Sequence, residues 1–285
     1  MPRFVVVGVP KAGTTSLFHY LRAQPGVFVP DVKEINFLSY PGDAVARERY
    51  QWMDFPVKTL AEYEGLYAAA GDRVAIDFSQ SCFNSHVAIE RIREFVPDAG
   101  VLVVLRDPVM RAWSAYQNRI RKGYERRAPD EALVAGDRVV DMGFYSERIA
   151  ELRIAFGVAR VGVWLFDDLK RDPTATVGEI LRHIGADPDT PVPVGDEVHN
   201  AGYLPRNRFV HRLFPDYARR RAIRRRVPAP LLAPVEWLWR ANSRAGEGIP
   251  ESTETRLRRL YADDVARLQQ LLQRDLSAWL PAARV

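Results

Sequence analysis

A single cysteine, Cys82, stands among 285 residues. One thiol excludes an internal disulfide framework and any zinc site built on a cysteine cluster. The five histidines form no HExxH pattern, and no carboxylate ladder accompanies them, so no metal is expected. Apolar runs are short; none reaches the roughly 18 residues a transmembrane helix needs. The stretch Phe4–Val7 is too short for a signal peptide and runs directly into a glycine turn, which makes the cytoplasm the expected location. Internal repeats and low-complexity linkers are missing, and the expected organisation is one domain over residues 1–285. Lysine is scarce as well. Of 41 basic residues only Lys11, Lys33, Lys58, Lys122 and Lys170 are lysines, and the net charge is +5. An arginine excess suits anion or nucleic-acid binding but follows equally from coding bias, so alone it assigns no function.

What is present is ordinary globular material, 47% hydrophobic and 27% charged. Short β-branched runs at Phe4–Gly8, Gly26–Val29, Val74–Asp77, Val101–Leu105 and Val161–Phe166 read as buried strands. Helical patterns fill the gaps at Thr14–Arg22, Leu60–Ala70, Ser85–Phe95, Val109–Lys122 and Phe144–Phe156, and Pro173–His183 follows. Continuous apolar strands separated by helices imply an α/β fold with a central parallel sheet covered on both faces. Residues 185–197 form a turn-rich connector, and residues 215–250 mix proline, arginine and tryptophan irregularly, as a variable cap or insertion would. Glu251–Leu280 reads as a long helix.

The most informative segment is Gly8-Val9-Pro10-Lys11-Ala12-Gly13-Thr14-Thr15-Ser16. A strand enters a glycine turn and the turn opens a helix. Backbone N–H groups and the positive end of the helix dipole then face one spot, an anion site. Lys11 adds a full charge, and the hydroxyls of Thr14, Thr15 and Ser16 can donate to phosphate oxygens. A Walker A loop would place its lysine where Thr14 stands, so an ordinary ATPase or GTPase is disfavoured. The string PKAGTTSL resembles the 5′-phosphosulfate loop of sulfotransferases that use 3′-phosphoadenosine 5′-phosphosulfate (PAPS). The resemblance implies that Pro10 to Ser16 hold the 5′-phosphate and that Lys11 contacts it and the bridging oxygen. It also implies a P-loop NTPase-like three-layer α/β/α fold with a helical C-terminal part.

A second anion motif follows the fourth strand, in VLVVLRDPVMRAWSAY. Arg106 leaves the C-terminal end of that strand, where open α/β sheets bind ligands. Taken alone it could pair with Asp107, and Asp107 could itself be a Walker B carboxylate. The run is similar to the RxPxxRxxSxY motif of the same sulfotransferases, which implies that Arg106 and Ser114 bind the 3′-phosphate. Arg111 fits the pattern with a less defined role.

Lys33-Glu34-Ile35-Asn36-Phe37-Leu38 follows the second strand. A Lys-Glu pair by itself is usually a solvated surface pair. The segment resembles the KE-x-x-F-F stretch of heparan sulfate sulfotransferases and their bacterial relatives, which implies Glu34 as the general base. Those enzymes usually carry a lysine where Phe78 stands here, and its loss leaves Lys11 as the main cation near the transferring group. His199, in HNAGYLPRNR, is an alternative base, and Arg206 or Arg208 could reach the 3′-phosphate from that loop.

The resemblance implies in-line transfer of a sulfonate from PAPS to a hydroxyl or amine, releasing adenosine 3′,5′-bisphosphate, with Lys11 and Glu34 as the catalytic pair. No metal is required, because the leaving phosphate is a weak base. The acceptor would be a small molecule or glycan, and nucleic acid is not an expected partner. The cluster RRRAIRRR at 219–226 is either a solvated helix or a contact for an acidic membrane surface or polyanion. Two other readings use the same residues. One is a P-loop kinase of small molecules, which would need Mg-ATP. The other is a non-catalytic nucleotide-binding module that presents 219–226 to a polyanion.

Overall fold

The computed structural model describes residues 1–50, 53–192, 203–205, 234, 237, 243–245 and 248–281. Along the chain run β1 (Phe4–Gly8), α1 (Thr14–Arg22), β2 (Val27–Phe28), α2 (Asp43–Arg49), α3 (Leu60–Gly65), β3 (Val74–Phe78), α4 (Ala88–Phe95) and β4 (Gly100–Leu105). They are followed by α5 (Pro108–Lys122), α6 (Pro129–Ala132), α7 (Arg138–Asp141), α8 (Ser146–Phe156), β5 (Val161–Leu165), α9 (Phe166–Arg171) and α10 (Pro173–Ile184). Two short strands, β6 (Tyr203–Pro205) and β7 (Ser243–Ala245), precede α11 (Glu251–Leu272). The chain forms two compact units.

The first unit holds residues 1–106, 145–197 and 267–274. Its sheet has five parallel strands in the order β2-β3-β1-β4-β5. β1 lies in the middle with Val5 opposite both Asp77 and Val101. Val5, Val6, Ile76, Val101, Val103 and Leu105 are almost or wholly inaccessible, which is why these strands read as unbroken apolar runs. The α/β fold class with a central parallel sheet is therefore the observed one. The strand order reverses around β1, so the loops leaving the C-terminal ends of β1, β3 and β4 share one edge of the sheet, the usual ligand side of such folds.

The second unit holds residues 107–144, 198–266 and 275–285. Asp107 caps α5 by accepting from the N–H groups of Val109 (2.8 Å) and Met110 (3.3 Å), and Pro108 supplies the first helical residue. Arg258 pairs with the same carboxylate at 3.2 Å. Arg111 is 1% exposed and donates to the Val139 carbonyl, while Tyr261 donates to that of Val140 at 2.7 Å. Arg111 thus packs inside this unit, which gives that motif residue a structural task. β6 and β7 pair antiparallel.

Four helices are shorter than their sequence patterns; α8 begins at Ser146 rather than Phe144. α3 begins with a Thr59/Glu62 capping box and stops at Gly65, where glycine weakens the helix. The helix expected from Ser85 begins at Ala88, because residues 80–84 form a 3₁₀ turn and Ser85 is extended. α11 ends at Leu272 rather than Leu280, with Gln273 in the left-handed conformation (φ 52°) and the Arg274 N–H turned back to the Gln269 carbonyl at 3.2 Å. Among the described residues no helix is long and apolar enough to cross a membrane.

Candidate active site

The loop after β1 is held from below and from the side. The Val9 N–H donates to the Val104 carbonyl (2.9 Å) and the Ala12 N–H to that of Val9 (3.2 Å). Gly13 caps α1 with φ 78°, and a Cβ there would meet the Phe166 ring at 2.6 Å. Only glycine meets both demands, conformation and space. Lys11 adopts φ 76°, a left-handed conformation unusual for a residue with a side chain. Thr14 opens α1, so the first N–H groups of that helix lack intrahelical partners and face the loop.

The hydroxyls divide their work. Thr14 is buried and its Oγ1 donates to Gln80 Oε1 at 3.1 Å. Thr15 Oγ1 accepts from Lys33 Nζ at 2.7 Å. An ammonium can only donate, so the proton of Thr15 is directed elsewhere and can serve a phosphate oxygen. Burial pulls the Lys33 pKa down, with the Glu34 charge opposing that. Lys33 is therefore more than half of a surface pair, contrary to what the dipeptide suggests alone.

Arg106 reaches the same loop. Its Nη1 donates to the Lys11 carbonyl at 3.0 Å, its guanidinium lies 4.8 Å from the centre of the Phe166 ring, and its own carbonyl accepts from Tyr145 at 3.0 Å. Ser114 stands half-buried on α5, in the second unit.

Glu34 is set against the exit of β3. Its N–H donates to the Phe78 carbonyl (3.0 Å), and the Asn36 N–H donates to Ser79 Oγ (3.0 Å). Both Glu34 (φ 59°) and Asn36 (φ 57°) are left-handed. Among the described residues Lys11, Glu34 and Asn36 are three of the four non-glycine residues with positive φ, so backbone strain gathers at these two segments. Desolvation pushes the Glu34 pKa up to about 7; Lys33 opposes this, Asp77 adds to it, and hydrogen bonds from the Gln80 backbone and side chain oppose it. Glu34 Oε1 is buried without a partner.

Asp77 lies beneath, wholly inaccessible, accepting from Tyr63 and Ser79 at 2.6 Å each. Burial raises its pKa to about 6, against those two hydrogen bonds. A carboxylate inside the apolar run VAIDF was the one sequence signal for this support. Lys33, Gln80 and Phe166 gave no comparable signal, because their roles depend on which loops meet. The structure thus joins Lys11, Gly13, Thr14, Thr15, Glu34 and Arg106 within the first unit, along with the flanking Pro10, Ala12 and Ser16. His199, Arg206, Arg208 and the 219–226 cluster lie outside the described residues. Among the described residues no group of His, Cys, Asp and Glu is placed to hold a metal ion.

A model of the sulfotransferase family matches residues 2–190, and the chain belongs to that family. The human bifunctional heparan sulfate N-deacetylase/N-sulfotransferase 3 is 25% identical over 208 residues, covering 66% of this chain and 23% of that protein. The human heparan sulfate glucosamine 3-O-sulfotransferase 3B1 is 26% identical over 200 residues, covering 65% of this chain and 46% of that one. The chain therefore spans about a quarter to a half of the length of these curated relatives. The crystal structure of a sulfotransferase from Alicyclobacillus acidocaldarius superposes with a TM-score of 0.70 at 25% identity, covering 98% of each chain. The P-loop NTPase-like architecture of sulfotransferases is thus the architecture of this protein.

Proposed function

We propose that the protein is a cytoplasmic PAPS-dependent sulfotransferase acting on a hydroxyl or amine of a carbohydrate or natural-product acceptor. One observation carries the reading: the phosphate-type loop bearing Lys11 is hydrogen-bonded through Thr15 to Lys33, the neighbour of Glu34, and through Thr14 to Gln80 at the exit of β3, where the Glu34 backbone is also held. The residues fit the donor. A glycine cradle with no room for a Cβ, exposed helix N–H groups, a lysine and an arginine make a site for a phosphosulfate, and the Walker lysine that a kinase would use is missing. The donor, when bound, supplies the sulfonate. Glu34 takes the proton as the acceptor oxygen or nitrogen bonds to sulfur, and the bond from sulfur to the bridging oxygen breaks. Lys11 offsets charge growing on that oxygen. A base titrating near 7 is well matched to neutral pH. The family resemblance carries Arg106 and Ser114 to the 3′-phosphate. The single domain, the polyanion or membrane contact through 219–226 and the absence of a metal are parts of the same proposal. The likeness to sulfotransferases weighs against the kinase and the non-catalytic module.

Arg106→Ala tests the donor assignment. Calorimetry should show adenosine 3′,5′-bisphosphate binding weakened roughly 10- to 100-fold, the scale of charge-assisted hydrogen bonds to a phosphate, while ADP changes far less. Equal losses for both would mean that Arg106 acts only on the loop, through the Lys11 carbonyl.

A further inference from the structure

We infer that Lys33 is a donor-binding residue: its ammonium, seated on the Thr15 hydroxyl at the first turn of α1, joins Lys11 in holding the charge of the 5′-phosphate. The inference deepens the sulfotransferase reading proposed above and rests on it.

The position runs against ordinary helix electrostatics. The first turn of a helix carries a partial positive charge, which favours acidic side chains and repels a cation. α1 has no acidic residue in its first turn, and its own basic residues, His19 and Arg22, lie in the last turn, where the dipole favours them. Lys33 is the exception. It comes from 18 positions along the chain, and its Nζ lies 2.7 Å from Thr15 Oγ1. The Phe18 ring, three residues on along the same face of α1, stands 5.9 Å from that nitrogen. The backbone behind the lysine is held, because the next N–H, that of Glu34, donates to the Phe78 carbonyl at 3.0 Å. The side chain is half-buried, and among the described residues it forms no salt bridge. A lysine kept against the positive end of a helix, with no carboxylate paired to it, is balanced by an anion that both attract.

The donor count agrees. An ammonium has three N–H groups, and Thr15 takes one, which leaves two. Thr15 Oγ1 accepts from the lysine and keeps its own proton to give. Two donors, one of them charged, thus stand together where α1 opens. Lys11 belongs to the loop that leads into α1, and Lys33 to the segment that bears Glu34. The phosphate site therefore draws its lysines from two segments, and the second is the immediate neighbour of the proposed base.

Calorimetry of the full chain with two nucleotides that differ only in the 5′-phosphate separates this role from a structural one. Lys33→Met removes the charge and keeps an unbranched stem. Binding of adenosine 3′,5′-bisphosphate should weaken roughly 10- to 100-fold, the scale of a charge-assisted hydrogen bond to a phosphate, while adenosine 3′-monophosphate changes by less than about threefold. Lys33→Arg keeps the charge in a different shape and should recover part of the loss. Equal losses for the two nucleotides would make Lys33 a prop for Thr15 and overturn the inference, as would undiminished binding of the bisphosphate. Should Lys33→Met fail to fold, Lys33→Gln is read in the same way. Inorganic pyrophosphate is the third probe, since it offers two adjacent anions without an adenosine. A wild type that binds pyrophosphate but not the bisphosphate, with pyrophosphate weakened in Lys33→Met, supports Lys33 and overturns the PAPS reading. In that case, unchanged pyrophosphate binding in the variant overturns both. A wild type that binds neither also overturns both.

Discussion

Glu34→Gln should reduce sulfonate transfer by roughly two to four orders of magnitude, the usual contribution of a positioned general base, and leave adenosine 3′,5′-bisphosphate binding intact. The amide is nearly isosteric, and the Glu34 N–H that holds the segment to the Phe78 carbonyl is unchanged. What the variant loses is the carboxylate that can take a proton. In the wild type, turnover should rise as pH rises through about 7, because burial favours the neutral acid until then. Stability should move the other way. A carboxyl whose folded pKa lies above its unfolded value of 4.5 makes the folded state the better proton binder between that value and about 7, so stability falls as pH rises through that window. The neutral glutamine escapes this cost, and thermal melts at pH 8 should place Glu34→Gln at or above the wild type. Transfer retained in this variant would move the base elsewhere, with His199 the alternative read from the sequence.

Lys11→Met should cost roughly 100- to 1,000-fold in turnover, the range found when a preorganised electrostatic contact to developing charge is removed. The charge matters most in the transition state, so kcat should fall more than the affinity for adenosine 3′,5′-bisphosphate, which backbone N–H groups also support. Lys11→Arg keeps the charge but replaces a compact ammonium by a planar fork, and partial recovery is expected. The left-handed backbone at Lys11 (φ 76°) aims the side chain and does not change with its chemistry, so both variants should fold. Single-turnover and binding measurements made side by side would separate the two effects. Equal losses in turnover and in binding would reduce Lys11 to a donor-binding charge.

Much of this was legible in the sequence, for identifiable reasons. The strands of the central sheet are buried on both faces and read as apolar runs; β1, β4 and β5 were placed to within a residue. Gly13 was legible as the opening of an anion loop because a turn between strand and helix needs a residue free of a Cβ, and the packed Phe166 ring shows why. Glu34 entered through likeness to known enzymes, since a Lys-Glu pair looks like any surface pair until β3 is laid beside it. Gln80 was not legible as part of the site, because it meets Thr14 across 66 positions of sequence, which no local pattern records. Asp77 left one trace, a carboxylate inside an apolar strand, but its partners Tyr63 and Ser79 did not show in the pattern. The Lys33 contact with Thr15 spans 18 positions and stayed hidden for the same reason.

The proposed donor is a 3′-phosphorylated adenine nucleotide, its 5′ end on the loop bearing Lys11 and its 3′-phosphate on Arg106. Calorimetry of the full chain with adenosine 3′,5′-bisphosphate, ATP and ADP, each with and without magnesium, tests it most directly. Tight binding of the bisphosphate alone, unchanged by magnesium, is the expected result. A preference for Mg-ATP would contradict it.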